Sequence, residues 1–107
     1  MRNREAEFLF TSASRIENIR HTDTESLPHL ADALAENLHI WNLITDKLLS
    51  TPDRALPASL CLQVTALTAT VLRYTHSALE APTPTALHIL VNLNRELAAE
   101  FCAEDIS

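Results

Sequence analysis

The stretch LPHLADALAENLHIWNLITDKL, residues 27–48, decides the fold. Leu27, Leu30, Leu34, Leu38, Trp41 and Leu48 recur at spacings of three and four, with Ile44 beside them. That period places them on one face of an α-helix, whereas a half-buried strand would alternate in twos. Pro28 falls in the first turn, where its missing N–H costs nothing, and Ser26 stands in the N-cap position. One such helix cannot cover its own apolar face, so the rest of the chain must supply its partners.

Prolines mark out those partners. Pro28, Pro57 and Pro84 sit where helices can begin, and Pro52 and Pro82 sit just past the expected helix ends. Residues 57–80 align Leu60, Val64, Leu67, Val71, Tyr74 and Ala78, and Leu62, Ala69, Leu72 and Leu79 widen that face. This predicts the central, most buried helix. Valine and threonine favour strand there, but the helical period outweighs them. In residues 84–103 Thr83 caps, Pro84 takes the first position, and Leu87, Leu90, Val91, Asn94, Leu97, Ala98 and Phe101 form the stripe. Residues 3–21 place Ala6, Leu9, Ala13, Ile16 and Arg20 in line, flanked by Phe10. The connectors 22–26, 51–56 and 81–83 are short, so successive helices should pack antiparallel. The expected fold is all-α: one domain over residues 1–107, an antiparallel four-helix bundle with helices at 3–21, 27–50, 57–80 and 84–103.

The composition agrees. The chain has 107 residues and no glycine, where average usage would supply roughly seven. A P-loop and a dinucleotide fingerprint are thereby excluded, as are Asn-Gly hairpins and glycine helix ends. Eight Lys+Arg against fourteen Asp+Glu give a net charge of −6, spread over both halves of the chain. With no basic stripe, direct nucleic-acid binding is not expected. Cys61 and Cys102 lack metal-ligand spacing and read as reduced thiols, which points to the cytoplasm. The start, Met1-Arg2-Asn3-Arg4, lacks the apolar stretch of a signal peptide. Ala55–Leu72 is uncharged over 18 residues but carries Pro57, Gln63 and several hydroxyls, so membrane insertion is not expected.

Catalytic chemistry finds little support. None of His21, His29, His39, His76 and His88 pairs with another at i,i+4. A phosphotransfer histidine would want His-x-x-Lys-Gly, which this chain cannot provide. The acid pairs Glu5/Glu7 and Glu104/Asp105 lie at polar ends, and no nucleophile motif is present. No enzyme, cofactor or metal is expected. Other features stand out. Trp41, the only tryptophan, follows Asn37 by one turn and reads as a core anchor bridged by Asn37 or as a partner contact. Asn94 on an apolar stripe suits a register-fixing bond to another helix, and Arg95 is the only base of the last helix. Glu96, Glu100, Glu104 and Asp105 crowd a helix end that disfavours them. Arg2, Arg4, Arg15 and Arg20 could offset them from the first helix. Phe8, Ile19, Ile40, Leu43, Leu49, Ile89 and Leu93 fall off the main stripes, and a small bundle cannot bury them all.

Asn37-Leu38-His39-Ile40-Trp41-Asn42-Leu43-Ile44-Thr45-Asp46 resembles the Asn-x-x-x-Trp-x-x-Leu/Ile-x-x-Asp core of the FlaF family of flagellar regulators from alphaproteobacteria, with Asp46 one place earlier than the pattern sets it. The order of further motifs matches: Arg4-Glu5-Ala6-Glu7-Phe8 near the start, then Pro52, Leu56-Pro57, a leucine-rich helix and Val91-Asn92-Leu93-Asn94-Arg95. The family's last helix often closes on glycine, whereas this one runs on through Glu100-Phe101-Cys102. The resemblance implies a cytoplasmic protein that binds flagellin as a secretion chaperone and promotes its synthesis and export. An apolar groove would shield a flagellin helix from early assembly. Expected partner-binding residues are Phe8, Asn37, Ile40, Trp41, Leu43, Ile89, Leu93 and Arg95. The alternatives are a regulator of flagellin translation acting through a protein partner such as FlbT, and a structural homodimer that buries the off-stripe residues between subunits.

Overall fold

The computed structural model describes the backbone of residues 2–19, 27–49 and 58–106, and the side chains of 4–19, 27–47 and 61–102. It contains α1 (Arg2–Asn18), α2 (Leu27–Leu49), α3 (Ala58–Glu80) and α4 (Pro84–Ile106), with no strand among the described residues. The all-α four-helix bundle expected from the sequence is the observed fold. α1 ends a turn earlier than expected and α4 runs on to Ile106. Ser26, Pro52, Pro57, Arg20 and His21 lie outside the described residues, as do the side chains of Leu48, Leu49 and Leu60.

Helix ends form without left-handed residues: no described residue has a positive φ. Thr83 caps α4 as expected, its Oγ1 accepting from Ala86 N–H at 3.2 Å while its carbonyl accepts from Leu87 N–H at 3.1 Å. Pro82 follows the end of α3, where Ala81 N–H still reaches the Ser77 carbonyl at 3.0 Å. Two threonines of α3 satisfy their hydroxyls on the preceding turn. Thr65 donates to the Cys61 carbonyl and Thr70 to that of Ala66.

α1 packs most extensively on α4, and α1/α2, α2/α3 and α3/α4 complete a closed square. Contacts between α1 and α2 run Glu5–Lys47, Ser12–Asn37 and Arg15–Glu36, numbers rising on one helix as they fall on the other. The two are therefore antiparallel. On the other side Asn94 reaches Leu9, and Arg95 reaches Glu17. Arg15 is thus engaged with α2 and does not offset the acidic end of α4.

The core holds Leu9, Ile16, Leu34, Trp41, Leu90, Leu97 and Phe101, all fully buried, with Val64 and Val71 from α3. Ala6 and Ala13 of α1 and Ala98 of α4 are buried, and small side chains let helices approach closely. α3 corrects the sequence reading. Val64, Val71 and Ala78 face inward as expected. Leu62, Ala69, Leu72 and Leu79 do not widen that face; they are exposed. A helix at one corner of a square buries only a stripe roughly 100° wide, however apolar the remainder is. Leu27 and Phe10 are also exposed.

Candidate partner-binding site

Two rows of side chains meet between α1 and α2. On α1, Arg4, Glu5 and Phe8 lie within one turn. On α2, Ile40, Leu43, Ile44 and Lys47 follow the three-four spacing of one face. Together with Asp46 they line an open, mostly apolar groove of about 510 Å³. Phe8 is 53% exposed and Leu43 54%, whereas Ile40 and Ile44 form the floor against the core. Phe8, Ile40 and Leu43 were each expected at a partner surface, and the fold gathers them into one concavity.

The groove is charged at one end. Lys47 Nζ donates to Glu5 Oε1 at 2.7 Å, and the Glu5 carboxylate is almost entirely covered. Sequence reading missed this pair. The spacing signal was present: Glu5 is three residues before Phe8, and Lys47 four after Leu43, so both share the faces of their apolar neighbours.

The other expected site residues fall elsewhere. Asn37 and Trp41 have no exposed surface, so this arrangement presents neither to a partner. They belong to a polar layer through the core. Trp41 Nε1 donates to Asn94 Oδ1 at 2.7 Å, and Asn94 Nδ2 donates to Asn37 Oδ1 at 2.6 Å and to the Leu9 carbonyl at 3.0 Å. Ser12 Oγ donates to the same Asn37 oxygen at 2.9 Å. Four side chains from three helices are thus hydrogen-bonded to one another across the bundle, the register-fixing role expected of Asn94. Asn37 Nδ2 and Thr75 Oγ1 are buried without a protein acceptor or donor. Beside the layer, Thr45 Oγ1 lies 2.7 Å from Thr68 Oγ1, 2.9 Å from the Trp41 carbonyl; Thr68 Oγ1 lies 2.8 Å from the Val64 carbonyl. Two hydroxyl protons cannot serve three contacts, so only two are hydrogen bonds at a time.

Ile89 and Leu93 are half-buried on α4, away from the groove. Arg95 holds Glu17 of α1 through two nitrogens, at 2.9 and 3.3 Å. No group of three or more His, Cys, Asp or Glu able to hold a metal is found among the described residues. No described helix is long and apolar enough to cross a membrane.

Geometry therefore defines a class: a helical bundle whose interior is fixed by a polar layer and whose α1/α2 face offers an apolar groove. The family follows from the sequence as a whole. The family model described as flagellar protein FlaF matches residues 1–100, and the chain belongs to this family. No curated protein and no solved structure matches it.

Proposed function

We propose that this flagellar protein is a non-enzymatic binding module. It takes an apolar helical segment of flagellin into the α1/α2 groove and acts as a secretion chaperone that promotes flagellin synthesis and export. The observation that carries the reading is the gathering of Phe8, Ile40 and Leu43 into one open groove. More than half of Phe8 and of Leu43 remains in contact with water, although Trp41 beside them is fully covered. Exposed apolar surface in a concavity suits an amphipathic helix presented at i, i+3, i+4 and i+7. Lys47 and Glu5 at its end can pair with polar residues flanking such a helix. The net charge of −6 opposes phosphate contact, so any effect on translation passes through a protein such as FlbT. The acting place on this reading is the cytoplasm.

Co-purification with flagellin and with FlbT tests the reading, using the native protein and the Phe8→Asp and Leu43→Asp variants. Flagellin should co-purify with the native chain and be lost from both variants, while helix content is unchanged. Retention of flagellin by both variants rules out the groove. Retention of FlbT alone, lost from the same variants, transfers the groove to translational control.

A further inference from the structure

The outward face of α3 has no use in the groove reading, yet it differs from the outward faces of the other three helices among the described residues. Leu62, Thr65, Ala69, Leu72, His76 and Leu79 are all exposed, with Leu62 at 73%, Leu72 at 43% and Leu79 at 46%. Their spacings are 3, 4, 3, 4 and 3, the a/d pattern of a helix seam that packs on another helix. None is an Asp, Glu, Lys or Arg, and Arg73 and Glu80 are the only such residues of α3. The other helices put acids outward: Glu7 and Glu17 on α1, Asp32, Glu36 and Asp46 on α2, Glu96 and Glu100 on α4.

We infer that this face binds a second copy of the chain, α3 antiparallel to α3 about a two-fold axis. Two features select a second copy as the occupant. The spacing series reads the same in both directions, so reversal superimposes the seam on itself. Leu62 then meets the partner's Leu79, Thr65 the partner's His76, and Ala69 the partner's Leu72. A two-fold interface needs this self-complementarity, and Ala69 opposite Leu72 pairs a small side chain with a large one at the centre. The second feature is charge. Two copies at −6 each repel through every acidic face, and the α3 seam lets them meet with no acid on the contact line. One helix seam lies at the small end of interface sizes, below about 1,200 Å² in total, so monomer and dimer exchange with concentration.

Sedimentation equilibrium from micromolar to near-millimolar concentration tests this on the full chain. The native protein should pass from monomer to dimer. Leu72→Glu and Leu62→Glu should each weaken association at least tenfold with helix content intact, since both positions face water in the monomer. Phe8→Asp should leave it unchanged. Orientation is read in a background carrying Cys61→Ser and Cys102→Ser. Copies with Ala69→Cys mixed with copies with Leu72→Cys should oxidise to a covalent dimer, and Leu62→Cys alone should not. A protein monomeric at every concentration overturns the inference, as does a dimer that survives Leu72→Glu. Self-cross-linking of Leu62→Cys replaces the antiparallel seam by a parallel one. A monomer whose Leu72→Glu variant loses flagellin gives the face to that partner, against the proposal made here. The groove reading stands or falls separately, because its variants lie on α1 and α2.

Discussion

Ile40 and Trp41 are adjacent in sequence and opposite in role. A step of about 100° around α2 carries the chain from the floor of an open groove to the centre of the polar layer. Inward, Trp41 and Asn37 are sealed and hydrogen-bonded to residues far along the chain. Outward, Ile40 and Leu43 meet Phe8 of α1 and leave apolar surface in water. The segment that resembles the family's core is thus divided. One set specifies how the helices fit, and the other leaves apolar surface exposed in a groove. A substitution on the inner face should destabilise the protein, and one on the outer face should leave a stable protein that has lost its proposed partner.

That division can be broken in graded steps. Trp41→Ala removes the largest fully buried side chain and strands Asn94 Oδ1. It should cost about 3–5 kcal/mol, read as a fall in the thermal midpoint of roughly 15 °C or more. Asn94→Leu should cost about 1–3 kcal/mol in urea unfolding, because Trp41 Nε1 is left buried without an acceptor. Combining it with Trp41→Phe should cost less than the two changes summed, by about 0.5–3 kcal/mol of coupling. Simple additivity would show that the layer does not act as a unit. Lys47→Met leaves the covered Glu5 carboxylate without this cation and should destabilise by about 1 kcal/mol, a moderate figure since Lys47 is half in water. Arg95→Gln, which breaks an exposed pair with Glu17, should cost less than about 1 kcal/mol, and less still in high salt. Phe8→Asp closes the series, with unfolding shifted by no more than about 0.5 kcal/mol while flagellin capture is lost. A large loss of stability there would place Phe8 with the inner set and end the comparison.

Much of this arrangement was legible in the sequence. The three-four periods gave all four helices, and Thr83-Pro84 gave the start of α4. Phe8, Ile40 and Leu43 were identifiable as apolar residues off the stripes. What a period cannot show is which neighbour stands opposite. Asn94 was recognisable as a polar residue on a core face, but its partners Trp41 and Leu9 lie 53 and 85 residues away. The reading of α3 failed for a related reason. Hydropathy reports what a residue would gain from burial, whereas position at the corner of a square decides whether cover exists. Leu62 and Val64 look alike in sequence, and one is fully buried while the other is the most exposed of the large apolar residues described.

The broad contact between α1 and α4 also orders events in time. During synthesis α1 emerges first, and its principal packing surface does not exist until Pro84–Ile106 has left the ribosome. Until then Trp41 has no Asn94 to bond, and Leu9 has no side chain from α4 over its carbonyl. Closing a contact of such long sequence separation is the slow step expected of a small helical protein. A nascent chain halted within α3 should therefore remain open along α1 and α2, and acquire a finished groove only when the last helix docks.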